Sequence, residues 1–313
     1  MAPRQVTVFG GSGFIGRYVV QRLARAGDRV AVAVRDTDGA QFLSMFGDVG
    51  QVMPVPCDVS MPATVAAALR GADAVVNLVG ILRGSAARFD AVHHKGAGAI
   101  AEAARAAGVQ RLVHISAIGA DPNASSAYAR SKGLGEEAVR TAFPEAAILR
   151  PSVVFGPEDD FFNRFARLAR VAPVLPLFGG GRTKFQPVYV GDVADAVLAA
   201  LLDKSARGRT FELGGPEVLS LADVFRIVLR ETNRKRCMIS VPFVAADLVG
   251  TLSPILHLPG RAPVITRDQA KLLRRDNVVG AGAAGLRDLG ITPTALELII
   301  PNYLSTYRKR GRL

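Results

Sequence analysis

Residues 6–20 read Val6-Thr7-Val8-Phe9-Gly10-Gly11-Ser12-Gly13-Phe14-Ile15-Gly16-Arg17-Tyr18-Val19-Val20. Val6 to Phe9 is β-branched and aromatic, the composition of a short buried strand. From Phe14 to Ala26 the apolar residues recur at helical spacing. Between these runs the glycines satisfy two overlapping patterns: GxxGxxG at Gly10, Gly13 and Gly16, and GxGxxG at Gly11, Gly13 and Gly16. A strand that turns on glycine into a helix brings bare backbone to the helix N-terminus. There the N–H groups and the helix dipole stabilise an anion, and missing side chains let a pyrophosphate approach. Gly10, Gly11, Ser12, Gly13, Phe14, Ile15, Gly16 and Arg17 are therefore candidate dinucleotide ligands. The alternative is a turn that needs glycine for packing alone.

Outward from this turn, short apolar runs alternate with helical patterns. The pattern predicts strands at Val6–Gly10, Arg29–Val34, Gln51–Pro54, Ala74–Leu78, Arg111–Ser116 and Ala146–Leu149. Helices are expected at Phe14–Ala26, Ala63–Arg70, Phe89–Ala107 and Tyr128–Phe143. Near-continuous apolar strands with helical crossovers describe a parallel sheet covered on both faces. The expected fold is α/β, a Rossmann-type doubly wound parallel sheet over residues 1–150 with a smaller C-terminal α/β lobe. Residues 151–183 and 203–313 form that lobe, expected over the carboxyl edge of the sheet, while 184–202 return to the first domain. Within the second half, a helix is expected at Phe161–Val171, a strand at Lys184–Val190 and a helix at Asp192–Leu202. A strand at Thr210–Leu213 and helices at Leu221–Glu231, Phe243–Leu252, Asp268–Arg274 and Ala295–Tyr307 follow.

The strand ends carry further chemistry. An acid about 20 residues beyond the glycines commonly holds the ribose 2′-hydroxyl of NAD. Here Arg35 lies 19 positions after Gly16. A guanidinium makes paired hydrogen bonds to a 2′-phosphate, so the position favours NADP(H) over NAD(H). In the competing reading Asp36 takes the ribose and Arg35 stands in solvent. Asp58, followed by Val59, closes the third strand and either accepts from an adenine amino group or makes an Asx turn. Asn77, Leu78, Val79 and Gly80 close the fourth, where Gly80 allows close passage of a cofactor and Asn77 ties strands.

Ser116 ends the fifth strand, and Tyr128 and Lys132 stand four residues apart, on one helix face. A free tyrosine titrates near 10. A nearby ammonium favours its phenolate and also grips a nicotinamide ribose, and Ser116 hydrogen-bonds a substrate oxygen. This trio, Ser116, Tyr128 and Lys132, suits proton transfer coupled to hydride transfer.

With these residues the chain resembles the short-chain dehydrogenases/reductases of the extended or atypical branch. The run Leu149-Arg150-Pro151-Ser152-Val153-Val154-Phe155-Gly156-Pro157 is similar to that branch's RPxxVYGP segment, with Phe155 at its tyrosine. The resemblance implies that Pro151, Val153 and Val154 bring backbone to the nicotinamide amide. Gln186 to Ala194 resembles its strand-to-helix segment ending in DVA, where Asp192 is expected to cap the helix. Narrower runs resemble the NADPH-binding accessory-subunit family of respiratory complex I, in its bacterial form: GGSGFIGRYVV, SAIGADPNASSAYARSK, Ala142 to Ala146, QPVYVGDVA, Ile265-Thr266-Arg267-Asp268 and Asp288 to Ile291. That resemblance implies tightly held NADPH, doubtful turnover, complex I subunits as partners, and a peripheral place on the cytoplasmic side of the bacterial inner membrane, with contact to membrane or quinone. Relatives of the family are also linked to quinone biosynthesis.

Composition sets the outer bounds. A chain of 313 residues, 49% hydrophobic and 21% charged, excludes wholesale disorder. Two distant cysteines, Cys57 and Cys237, and four histidines without metal spacing exclude a disulfide scaffold and a zinc motif. No secretory signal and no membrane-spanning helix is expected; the longest apolar stretch, Phe243 to Leu258, contains Asp247, Gly250 and Pro254. Of the net charge of +12, +8 falls in the last 80 residues, where 13 Lys/Arg face 5 Asp/Glu. That region either meets an acidic partner or lipid surface, or is a solvated basic face. Phe243, Val244, Leu248, Val249 and Leu252 form either a contact face or core. Nucleic-acid binding is not expected, because aromatics do not interleave with the basic residues. Three readings stay open: a structural NADPH-binding subunit, a working NADP-dependent oxidoreductase or epimerase on a hydrophobic substrate, and a redox-state sensor.

Overall fold

Seven parallel strands form the central sheet: β1 (Gln5–Phe9), β2 (Arg29–Val34), β3 (Val52–Pro56), β4 (Ala74–Asn77), β5 (Arg111–Ile115), β6 (Ala147–Pro151) and β7 (Thr210–Leu213). They are seen in a computed structural model that describes residues 3–244 and 267–308. The spatial order is β3-β2-β1-β4-β5-β6-β7, and every adjacent pair is parallel. Strand order reverses between β1 and β4, and ligands of doubly wound sheets bind outside the carboxyl strand ends at such a switch point.

Helices connect the strands. α1 (Phe14–Arg25) follows β1, α2 (Pro62–Ala68) follows β3, and α3 (Ala86–Phe89) and α4 (Gly96–Ala106) lie between β4 and β5. α5 (Ala127–Ala142) leads into β6, and α6 (Val190–Leu202) precedes β7. Val65, Leu69, Ile100, Ala104 and Val139 from this helical layer pack on Val75 and Leu112 of the sheet. Each fully buried large aliphatic side chain contributes about 1.5–3 kcal/mol.

The chain forms two units. The first comprises Met1–Pro151, Val190–Leu213 and Gly280–Thr292, and the second Ser152–Tyr189, Gly214–Val279 and Pro293–Leu313. Residues 203–213 and 280–292, expected in the smaller lobe, thus belong to the first. The cause is pairing: Thr210 to Leu213 aligns with Ile148 to Pro151 as a seventh strand. Glu212 then holds the following glycine-rich segment. Its N–H donates to the Ala284 carbonyl at 2.8 Å, and its carboxylate accepts from the Gly280 N–H at 2.8 Å.

Two further expectations change. The helix expected over Phe89–Ala107 starts at Ala86, capped by Ser85, and widens into a π-helical segment at Asp90–Lys95 before α4. The strand expected over Lys184–Val190 splits around Gln186-Pro187 into Lys184–Phe185 and Val188–Tyr189, and α6 starts at Val190. Asp192 therefore lies inside the first turn of α6, beyond the position expected of its cap.

The second unit has an aromatic core that includes Phe155, Phe162, Phe185, Phe225 and Tyr303. The Tyr303 hydroxyl donates to buried Asp159 at 2.7 Å. A parallel pair, Val174–Phe178 with Cys237–Val241, was not foreseen. Most of the helix expected at Phe243–Leu252, with Leu248, Val249, Leu252, His257, Ile265 and Thr266, lies outside the described residues.

Candidate functional site

The glycine turn is built as a cradle. Gly10 has φ +78°, and a Cβ there would lie 3.2 Å from the Leu78 carbonyl carbon and 3.3 Å from the Val79 nitrogen, so the turn sits against the end of β4. A Cβ at Gly16 would meet the Gly10 oxygen at 2.4 Å, so α1 touches the turn backbone directly. A Cβ at Gly13 would come near only the Gly10 oxygen, at 3.3 Å, leaving that side open for a ligand. Gly13 is the N-cap of α1, no side chain caps it, and the first turn holds no acid. Its leading N–H groups and positive dipole end face the exposed side of Gly13, with Ser12, Phe14 and Ile15 around it, partly exposed.

On the adenosine side, Arg35 is exposed just beyond β2. It lies near enough to Asp58 to help hold that carboxyl below its usual range, although the larger cause is hydrogen bonding from Ser60. Asp58 Oδ1 accepts from the Ser60 N–H at 2.9 Å and its hydroxyl at 2.7 Å, which is an Asx turn. Asp36 Oδ1 accepts from the Gly39 N–H at 2.9 Å, so that carboxylate serves its own turn. The Arg17 guanidinium stands over the Phe42 ring, 5.4 Å from its centroid. Val59 packs against Gly96, at the start of α4.

Beyond the cradle, Asn77 Oδ1 accepts from the Val79 N–H at 3.0 Å and shapes the end of β4. A Cβ at Gly80 would lie 3.5 Å from Lys132 Nζ and 3.6 Å from His93 Nε2, so β4's end meets the Tyr/Lys helix. Ser126 caps α5, accepting from the Ala129 N–H at 3.3 Å, which fixes Tyr128 in the first turn. Lys132 is buried and donates to the Ile115 carbonyl at 3.0 Å. Burial brings it down to about 8, against which Glu136 works. Ser116 Oγ is buried without a hydrogen-bond partner, the state expected of a group that awaits a ligand.

The structure thus gathers Gly10 to Gly16, Leu78 to Gly80, Ser116, Tyr128 and Lys132 in the first unit. Two expectations need correction. Tyr128 is not poised as a phenolate, because burial pushes its hydroxyl up to about 12. Val153 does not present its backbone: its N–H donates to Asn277 Oδ1 at 3.0 Å, its carbonyl accepts from the Val188 N–H at 3.0 Å, and Val154 pairs with Val188. These bonds lie within the second unit, whereas Pro151 ends β6 and accepts from the Ile118 N–H at 3.0 Å.

Three groups were missed. His93 is buried beside Tyr128, with ring centroids 5.4 Å apart. Its Nε2 accepts from the Ile81 N–H at 2.9 Å. Ser131 gives its hydroxyl proton to the Tyr128 carbonyl at 2.8 Å, so His93 Nδ1 donates to Ser131 Oγ at 2.9 Å. The ring is a neutral strut, and burial and Lys132 lower it to about 3. His114, on β5, is brought to about 3 by the same causes. Glu136, one turn beyond Lys132, accepts two bonds from Arg150 at 2.8 and 2.7 Å. Only Glu136 carried a signal, the four-residue spacing after Lys132. Among the described residues no cluster suits a metal ion, and no helix is long and apolar enough to cross a membrane.

Glycine cradle, doubly wound sheet and Tyr/Lys helix agree with the family model that matches residues 6–214: the chain belongs to the NAD dependent epimerase/dehydratase family. Its relatives narrow the likeness. It is 37% identical over 318 residues to the mitochondrial NADH dehydrogenase [ubiquinone] 1 alpha subcomplex subunit 9 of Arabidopsis thaliana, covering 97% of this chain and 78% of that one. It is also 35% identical to a ceramide reductase of Caulobacter vibrioides, covering 89% and 82%. Among solved structures, a dTDP-glucose 4,6-dehydratase from Streptomyces venezuelae with NAD bound shares the fold, with TM-score 0.74, 20% identity, and 97% and 96% coverage.

Proposed function

We propose that this chain is an NADP(H)-binding accessory subunit of respiratory complex I (NADH:ubiquinone oxidoreductase) with a largely structural role. The observation that carries this reading is the 37% identity to a complex I subunit across 97% of the chain. The partners are then other complex I subunits, and the place is peripheral, on the cytoplasmic side of a bacterial inner membrane, with membrane or quinone nearby.

The site fits a nicotinamide dinucleotide. Gly10 to Gly16 and the uncapped N-terminus of α1 hold the pyrophosphate. Arg35, with Arg17, takes the 2′-phosphate, a role supported by the commitment of Asp36 to its own turn. Asp58 and Val59 border the adenine, and Leu78, Val79 and Gly80 pass beneath the cofactor. Tyr128 and Lys132 grip the nicotinamide ribose, and Ser116 gives its buried hydroxyl to the nicotinamide end. When bound, the nicotinamide supplies hydride donor and acceptor chemistry. A hydroxyl pushed up to about 12 stays protonated, so Tyr128 acts as a hydrogen-bond donor to the ribose, a state equally suited to a proton donor in a reductase.

The test is affinity purification from detergent-solubilised membranes with cofactor analysis of the product. Complex I subunits and stoichiometric NADP(H) are expected; their joint absence contradicts the proposal. A second reading, a working reductase on a hydrophobic substrate, is favoured by the likeness to a ceramide reductase and by the retained Ser116, Tyr128 and Lys132. Under that reading Tyr128→Phe abolishes an NADPH-dependent turnover; under ours it leaves complex I assembly intact.

A further inference from the structure

Tyr128, Lys132 and Glu136 repeat at four-residue spacing along α5, so their side chains lie on one face of the helix. Glu136 is 4% exposed, and a carboxylate that far from water needs a partner. Arg150 supplies it from β6 through paired bonds of 2.8 and 2.7 Å. On its other side the same guanidinium stands 3.6 Å from Glu212 of β7. Charges therefore alternate through the first unit: Lys132, Glu136, Arg150, Glu212.

The remaining neighbours of Lys132 do not help its charge. His93 from the π-helical segment and His114 from β5 are both neutral and basic, the Tyr128 hydroxyl is protonated, and the Ile115 carbonyl accepts one of its three protons. Among the described residues, Glu136 is the one acid that acts on it. We propose that Glu136, anchored by Arg150, is the counter-ion that keeps the Lys132 ammonium charged and aimed at the dinucleotide end of the site. It is a positioning residue: it acts through Lys132, not on the cofactor. The inference rests on Lys132 gripping the nicotinamide ribose only for its consequence in binding; the charge coupling itself stands without any cofactor.

Two measurements keep those apart. The first is the pH dependence of Lys132 acylation by acetic anhydride, read by mass spectrometry on the purified chain with nothing added. Lys132 is expected to titrate about one pH unit lower in Glu136→Gln and higher in Arg150→Gln, with Glu136→Asp close to wild type. A generally loosened structure would hydrate Lys132 and move it upward in both variants. An unchanged or raised midpoint in Glu136→Gln overturns the proposal. If that variant does not fold, Glu136→Met, which fills the space without charge, is read in the same way, and an unchanged or raised midpoint there overturns the proposal as well. The second is NADPH affinity against pH. Wild-type affinity should fall above the Lys132 midpoint, and Glu136→Gln should lose about threefold at pH 7.5 and close to tenfold at pH 9, with Lys132→Met flat across the range. Lys132 shifts without any NADPH binding would leave the counter-ion in place and defeat the cofactor reading.

Discussion

Arg35 and the two buried histidines carry the sharpest consequences of single side chains. Replacing Arg35 by Ala removes the guanidinium proposed for the 2′-phosphate, so NADPH affinity should fall about tenfold or more while NADH affinity changes little. Fluorescence titration with both nucleotides reads the difference. His93 and His114 are 1% exposed and titrate at about 3. Unfolded, each protonates near 6.5. Between those values the unfolded chain binds more protons, so stability is complete above about 6.5 and is lost as the pH falls toward 3. Each histidine should cost about 2 kcal/mol by pH 5, visible as a falling urea midpoint. A His93→Leu/His114→Leu double variant should show a flatter profile; an equally steep one would assign the acid lability elsewhere. Tyr128→Phe should weaken NADPH binding about two- to tenfold, the worth of one hydrogen bond. At this scale the grouping of Ser116, Tyr128 and Lys132 was legible because a strand end and a four-residue helical spacing bring them to one place. The histidines were not, because tertiary packing alone decides that His93 meets the Ile81 N–H and the Ser131 hydroxyl and that His114 is buried with neither ring nitrogen bonded among the described residues.

Helix α1 and its turn show the reach of local pattern. Gly16 must lack a side chain because α1 lies directly on the turn, 2.4 Å from a would-be Cβ. Gly16→Ala should lower stability by about 1–3 kcal/mol through overpacking and should also weaken nucleotide binding, since the helix N-terminus moves with it. Thermal unfolding with and without NADPH separates the two effects. Strands β1 to β6 were legible because short apolar runs bounded by turn residues admit one reading. The helical run from Ala86 to Ala106 was read too short and too regular: its π-helical segment at Asp90–Lys95 carries the His93 strut to Ile81 and Ser131, contacts that local spacing does not encode. β7 was read as a strand, but its sheet was not foreseen, because pairing with β6 joins residues some sixty positions apart, with Thr210 opposite Ile148. The split at Gln186-Pro187 had a visible signal in the proline, which lacks the N–H a continuous strand needs.

For the molecule as a whole, positive charge is divided unequally between the two units. The described residues of the second unit carry 15 Lys/Arg against 9 Asp/Glu, a net of +6, and those of the first unit hold +3. The proposed cofactor cradle thus sits in the less charged unit, while the basic unit is the part suited to an acidic partner or lipid surface. Association of the purified chain with the proposed complex I partners should weaken as salt is raised from 50 to 300 mM, and NADPH, whose 2′-phosphate is proposed to meet exposed Arg35, should lose more affinity than NADH over the same range. A ligand that binds the native state alone stabilises it by mass action, about 2.7 kcal/mol at a hundred times its Kd. The most direct test is calorimetric titration of NADPH and NADH into nucleotide-stripped protein, wild type beside Arg35→Ala. One site per chain is expected, with NADPH held at least tenfold tighter than NADH and that preference gone in the variant. Equal affinities in the wild type, or no binding of either nucleotide, would contradict it.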